Sequence, residues 1–291
     1  MTTEVRNAEK FLAYDGDCPM CIATVGLLVR WGLVRQEQTR SNHDLDEADA
    51  EQARQAGIRN QLVVFEPNTR QTRVGSDGLL WIIGETAGYH YQARLLGLPG
   101  LKQLVSFGYK AISYNRRIIS PPAHQIVCDC EPEVTVGRRL SLVVPLLVLG
   151  MAIVAGFGAS AFVGCQVGDA AHGALLMSVA SGVGWLILSA VGLAVLGGMR
   201  GLDYLSHLAV TLFAGALILL PGAVLLAWLP RPAAVAITAL SLMFCVSTMF
   251  KMQVRRVKAM RLGLGWLMLW GVVQTGTFLL IVAGYFRDGL R

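Results

Sequence analysis

The chain has 291 residues, a mean hydropathy of +0.53 and only 15% charged residues, well below the roughly 25% of an ordinary soluble chain. Residues 1–139 hold 16 Lys/Arg and 16 Asp/Glu, whereas residues 140–291 hold 9 and 3. The +6 net charge therefore belongs entirely to the second part, which excludes a nucleic-acid footprint and points to membrane topology signals. Six cysteines are too few for a disulfide scaffold. The polar N-terminus "MTTEVRNAEK" is not followed by an apolar signal-peptide core, so the first domain is expected to stay unexported.

In chain order, "FLAY" reads as a short buried strand ended by the turn-rich "DGD". "CPMCIATVGLLVRWGL" has apolar residues at helical spacing. Pro19 suits the first helical position, which makes Cys18 the N-cap and puts Gly32 near the stop. "RQEQTR" is expected to form an edge strand. "DLDEADAEQARQAG" is expected to be a helix capped by Asp44 or Asp46 and stopped by Gly57. "QLVVFE" and "TRV" read as strands joined by the turn "PNTRQ". "SDGLLWIIGETAG" reads as a helix with a serine cap, and "GLPGLKQLVSFGYKAISYNRRI" as one final amphipathic helix. The order of strand, helix, strand, helix, strand pair and helix is a thioredoxin-like α/β plan, over residues 1–136.

Residues 137–291 are expected to form an all-α membrane bundle of about five transmembrane helices, near 140–164, 174–199, 208–229, 233–250 and 262–286. Gly, Ala and Ser are frequent there, as close helix packing in lipid requires. Eight Lys/Arg fall on one side (Arg138, Arg139, Arg200, Lys251, Arg255, Arg256, Lys258 and Arg261) against three on the other (Arg231, Arg287 and Arg291). That predicts an integral membrane protein with a cytoplasmic N-terminal domain and an outside C-terminus. Asp169 with His172, and Asp203 with His207, are expected as solvated loop residues at the two interfaces. Cys165 and Cys245 are expected to be separated by most of the hydrocarbon thickness, about 30 Å.

The chemistry is concentrated in "YDGDCPMC". Thiol–disulfide exchange needs a thiolate attacker and a second thiol that releases the mixed disulfide. A helix N-cap stabilises a thiolate through the first-turn N–H groups and the positive dipole end. Cys18 falls at that place, and Cys21 lies one turn further along the same face. The pair also has the spacing of half a metal site. Cys128 and Cys130 in "VCDCEP" supply two more thiols, either as a four-thiolate zinc site with Cys18 and Cys21 or as partners in a thiol relay. His90 and His124 are further candidate ligands, more simply read as ordinary surface histidines. Asp15 and Asp17 bring negative charge towards Cys18, which would raise its pKa, or Asp15 would serve as a proton acceptor. Arg116 and Arg117 are expected to meet anionic lipid.

These residues carry a resemblance. "YDGDCPMC" resembles the signature of the DCC family of thiol-disulfide oxidoreductases, named for an Asp-x-x-Cys-x-x-Cys pattern that Asp15, Cys18 and Cys21 satisfy here. "VGSDGLLWII", "LPGLKQLVSFGYKAISYNRR" and the late cysteine cluster are similar to its later blocks, over roughly residues 10–131. The resemblance implies a thioredoxin-like fold, Cys18 as attacking and Cys21 as resolving thiol, and no cofactor beyond the redox-active dithiol. The chain departs from ordinary thioredoxins in two places: "RNQ", with no proline, stands before "LVVF", where they carry a cis-proline, and Asp15 and Asp17 bring two negative charges close to Cys18.

Three functions follow as expectations: a membrane-anchored thiol-disulfide oxidoreductase acting on protein or small-molecule thiols and disulfides; a zinc or other metal-binding module; or a membrane assembly or transport protein with a redox-sensing domain. The bilayer is a partner in all three, a membrane protein is a candidate partner, and nucleic acid is not.

Overall fold

The computed structural model describes residues 10–58, 61–66, 71–86, 88–121 and 135–289. The chain divides into two compact units, Met1–Arg138 and Arg139–Arg291.

The first unit is built on a four-stranded mixed sheet with strand order β2-β1-β3-β4. Strand β1 (Phe11–Tyr14) is central. It runs parallel to β2 (Thr39–Ser41) with Leu12 opposite Thr39, and antiparallel to β3 (Val63–Glu66) with Leu12 opposite Val64. Strand β4 (Gln71–Val74) pairs antiparallel with β3. Alternation along β1 and β3 sorts the core into two layers. Leu12 and Val64 pack with Val25 and Leu28 of α1 (Pro19–Arg30) and Ile82 of α3 (Gly75–Glu85). Phe11, Ala13, Val63 and Phe65 pack with Ala53 of α2 (Glu47–Gln55) on the other face. This is the thioredoxin-like plan expected from the order of elements.

Local chemistry sets the element ends. Asp46, not Asp44, caps α2, its carboxylate accepting from the Asp49 N–H at 2.8 Å. Helix α3 has no serine cap. The chain turns into it through Gly75 at φ +60°, and Ser76 is buried within the first turn. The final amphipathic segment is two helices rather than one, α5 (Pro99–Tyr114) and α6 (Arg116–Ile119), and a short further helix, α4 (His90–Leu96), precedes it. The break falls at Asn115, whose side-chain amide donates back to the Ala111 carbonyl at 2.8 Å.

Among the described residues, five helices are long and apolar enough to cross a membrane: α7 (Val136–Gly164), whose first turn precedes the boundary of the second unit, α8 (Ala170–Leu196), α9 (Gly198–Leu225), α10 (Arg231–Ala259) and α11 (Leu264–Gly289). Helix α9 is the most buried of them. Small residues permit close approach as expected: a Cβ on Gly158 or on Gly173 would meet the carbonyl oxygen of the other.

The helices are longer than the hydropathy suggested, and this corrects two expectations. Asp203 and His207 are not loop residues. They lie on α9, where Asp203 accepts from Arg139 Nε at 2.7 Å and buried His207 Nδ1 accepts from Arg256 Nη1 at 2.7 Å. Cys245 sits near the middle of α10, and Cys165 Sγ contacts Thr238 Oγ1 on the same helix at 3.6 Å. Seven residues of α-helix rise only about 10 Å, so the two sulfurs are far nearer than 30 Å. Both are nevertheless free thiols. Asp169 is exposed and caps α8, accepting from the His172 N–H at 2.8 Å.

Candidate active site

The site is assembled where β1 ends. Asp15 follows the last strand residue and is buried. Its Oδ1 accepts from the Asp17 N–H at 3.0 Å, and its carbonyl accepts from the Cys18 N–H at 3.3 Å. The loop after β2 fixes this turn from the side. Asn42 N–H donates to the Tyr14 carbonyl at 2.9 Å, and Asn42 Oδ1 accepts from Gly16 N–H at 2.9 Å. A strand end, a turn and a helix start are thereby locked together before any chemistry is considered.

Cys18 is the N-cap of α1, with extended backbone, and Pro19 takes the first helical position. Its sulfur accepts from the Cys21 N–H at 3.4 Å, as a serine or aspartate oxygen does at such a cap. The first turn carries no acidic side chain. Cys18 is 9% exposed, Cys21 is half-buried, and both are free thiols.

The residue that sequence reasoning misplaced is Arg116. It is not a lipid-facing cation. It opens α6, is 3% exposed, and donates from Nη2 to Asp15 Oδ2 at 2.8 Å. Its Nη1 lies 3.5 Å from Cys21 Sγ. One planar guanidinium thus spans a buried carboxylate and a thiol, a geometry that a lysine ammonium does not reproduce. The helix break at Asn115 turns Arg116 inward. A buried carboxylate in a tight turn needs a counter-charge, and that need is the signal "YDGD" offered.

The charges act together on the sulfurs. The Cys18 thiol is lowered from its ordinary value to about 6, chiefly by the hydrogen bond from the Cys21 thiol; the Cys21 N–H and Arg116 add to this, against burial and Asp15. Arg116 outweighs Asp15, so the aspartate does not defeat the thiolate as its sequence position suggested. Asp17 instead pairs with His43 Nε2 at 3.1 Å. Cys21 is pushed up, first by its hydrogen bond to Cys18 and then by burial and the Cys18 charge. The same contacts thus act in opposite directions on the two sulfurs, favouring the thiolate at Cys18 and the thiol at Cys21.

Tyr109 on α5 completes the surroundings. Its hydroxyl accepts from the Leu62 N–H at 2.8 Å, just before β3, and burial pushes its phenol up to about 12. Gln61 and Leu62 precede β3, and neither is proline.

Cys128, Cys130 and His124, named for the zinc site or thiol relay, lie outside the described residues. His90 opens α4, where its Nδ1 meets the Gly84 carbonyl. Among the described residues no three Cys, His, Asp or Glu side chains gather as a metal site.

No curated protein and no solved structure matches the chain. Residues 12–120, which carry Asp15, Cys18, Cys21, Tyr109 and Arg116 and none of the five long apolar helices, are similar to the DCC1-like thiol-disulfide oxidoreductases, whose family model they match.

Proposed function

We propose that the protein is a membrane-anchored thiol-disulfide oxidoreductase in which Cys18 attacks, Cys21 resolves, and Arg116 with Asp15 positions the charge. The observation that carries this reading is the convergence of the α1 N-terminus and a buried guanidinium on the two sulfurs. In the reductive direction, the Cys18 thiolate attacks one sulfur of a substrate disulfide. The substrate S–S bond breaks, a Cys18–substrate disulfide forms, and the first substrate thiolate leaves.

The resolving step follows from the same electrostatics. Once Cys18 is bonded to substrate, it no longer bears the charge that keeps the Cys21 proton in place, while Arg116 still faces the Cys21 sulfur at 3.5 Å. Cys21 then loses its proton and attacks Cys18 Sγ. The mixed disulfide breaks, a Cys18–Cys21 disulfide forms, and the second substrate sulfur leaves as a thiolate that takes up the proton given up by Cys21; the dithiol has lost two electrons and the two substrate sulfurs have gained them. The dithiol is regenerated by an external thiol reductant, and the reverse sequence oxidises a substrate dithiol.

The Lys/Arg distribution supports a cytoplasmic first unit and an outside C-terminus. Of the eight basic residues on the inner side, Arg139 and Arg256 are buried partners of Asp203 and His207, which leaves six against three.

The test is a Cys18→Ser variant of the full chain in membranes. Reduction of a model disulfide is expected to vanish, while Cys21→Ser is expected to trap a mixed disulfide on Cys18. Undiminished turnover in Cys18→Ser would overturn the assignment. Impermeant thiol reagents that label Cys18 in inside-out vesicles but not in sealed cells would support the orientation, and the opposite pattern would reverse it.

A further inference from the structure

Helix α5 has two unlike faces. One points into the first unit, where Tyr109 bonds the Leu62 N–H and Ser113 is buried. The other presents Leu101, Leu104, Phe107 and Ile112, which are 38%, 65%, 50% and 47% exposed. Their spacing of three, three and five residues keeps them on one side of the helix. The apolar surface continues on α4, where Tyr91 is 86% and Leu95 57% exposed. Scattered apolar side chains on a surface are ordinary, whereas a continuous row marks an interaction site.

Two observations identify what covers it. The first is charge. Residues 86–121 contain Arg94, Lys102, Lys110, Arg116 and Arg117 and not one Asp or Glu. Arg116 is committed to the active site, and Lys102 reaches Asp77 of α3 at 3.2 Å. An amphipathic helix with a basic margin and no acidic residue has the composition of a segment that lies in the interface of an anionic bilayer.

The second is attachment. Arg138, in the first turn of α7, is held at the C-terminal end of α5. Its carbonyl accepts from the Asn115 amide at 2.7 Å, and its guanidinium stacks over the Tyr114 ring at 4.0 Å. Helix α7 is the first of the five helices suited to cross the membrane. Sixteen residues separate Ile119, the end of α6, from Val136, the start of α7, so the face is tethered by a short connection to a segment suited to lipid.

We propose that the apolar face of α4 and α5 rests on the surface of the bilayer that the five helices cross, with anionic phospholipid as its partner. Leu104 and Phe107 enter the boundary between headgroups and acyl chains, and Lys110 and Arg94 meet the phosphates. This surface is independent of the chemistry proposed for the dithiol.

The test places the photoreactive residue benzoylphenylalanine at position 104, at position 107, or at exposed Gln55 at the end of α2, which packs on the opposite face of the sheet. Each full-length variant is reconstituted in nanodiscs of phosphatidylcholine, with and without phosphatidylglycerol, irradiated and weighed by mass spectrometry. Phospholipid adducts are expected at 104 and 107 at several times the yield at 55, rising when phosphatidylglycerol is present. Equal yields at all three positions, yields indifferent to the anionic lipid, or adducts to a second copy of the chain would overturn the proposal.

Discussion

Each unit buries arginine, and they use it differently. In the first, Arg116 joins Asp15 to the Cys21 sulfur, a group whose charge can change. In the second, Arg139 joins α7 to Asp203 of α9, and Arg256 joins α10 to His207 of α9. Those contacts tie helices together near their ends, where the polar groups of a bundle must be satisfied within the protein. Sequence alone assigns all three arginines to the predicted inner face of the membrane. Burial and partner chemistry, not distance from the membrane, separate the one set against a thiol from the two that hold helices.

The comparison breaks most visibly at Arg116. Arg116→Gln leaves the Asp15 carboxylate buried without its counter-ion, which costs about 3–5 kcal/mol by the usual penalty for breaking a buried pair. Removing the guanidinium also takes away a charge that lowers both cysteines, so Cys18 should titrate higher. Hydrogen exchange of the full chain should show β1 and α1 loosened, and the pH midpoint of Cys18 alkylation should rise. Arg116→Lys should restore part of the charge effect without the two-pronged contact. An unmoved midpoint in Arg116→Gln would show that the arginine is structural, like its two counterparts in the bundle.

The pH dependence of Cys18 sharpens the same point. Its value in the fold, about 6, lies below that of a free thiol, about 8.5. The stabilisation of the reduced fold is therefore fully present above about 8.5 and is lost as pH falls through about 6. Reduced protein should gain thermal stability over Cys18→Ser as pH rises through that window. Alkylation should be near its plateau at neutral pH and half-maximal near 6. A midpoint close to 8.5 would remove the case for a poised thiolate.

Much of this was legible in the sequence. Pro19 after Cys18, the apolar period of α1 and the strand "FLAY" were enough to place the dithiol at a helix start. What local pattern did not reveal were pairings over long separations. Arg116 is 101 residues from Asp15, and nothing in "YNRRI" tells Arg116 from Arg117 except the break at Asn115. Asp203 and His207 were misread for a related reason. Hydropathy marks where helices become too polar for lipid, not where they stop, so the early turns of α9, buried from Gly201 onward, resembled a loop. The α5 row was recognised as amphipathic, but only the fold shows which face is left open.

In the bundle the matching perturbation is milder. His207→Ala removes the acceptor that Arg256 meets at 2.7 Å. A lost buried hydrogen bond to a charged group costs about 1–3 kcal/mol. The thermal transition of the purified protein in detergent should fall accordingly, while Cys18 alkylation at every pH should match the unaltered chain. A shift in the thiol titration would mean that the bundle arginines communicate with the dithiol, and the distinction between tuning and tying would fail.

The smallest effect is expected beside the site itself. Tyr109→Phe deletes the hydroxyl that accepts from the Leu62 N–H at 2.8 Å, a neutral hydrogen bond worth about 1 kcal/mol. The phenol stays protonated through the working pH range because burial raises it to about 12, so its removal takes no charge from the thiols. Local exchange at Leu62 should quicken, and the Cys18 midpoint should hold within a few tenths of a unit. Arg116→Gln and Tyr109→Phe both disturb groups that pack near Cys21, but only the first alters charge. A large shift in Tyr109→Phe would make packing, rather than the guanidinium, the cause of the poised sulfur.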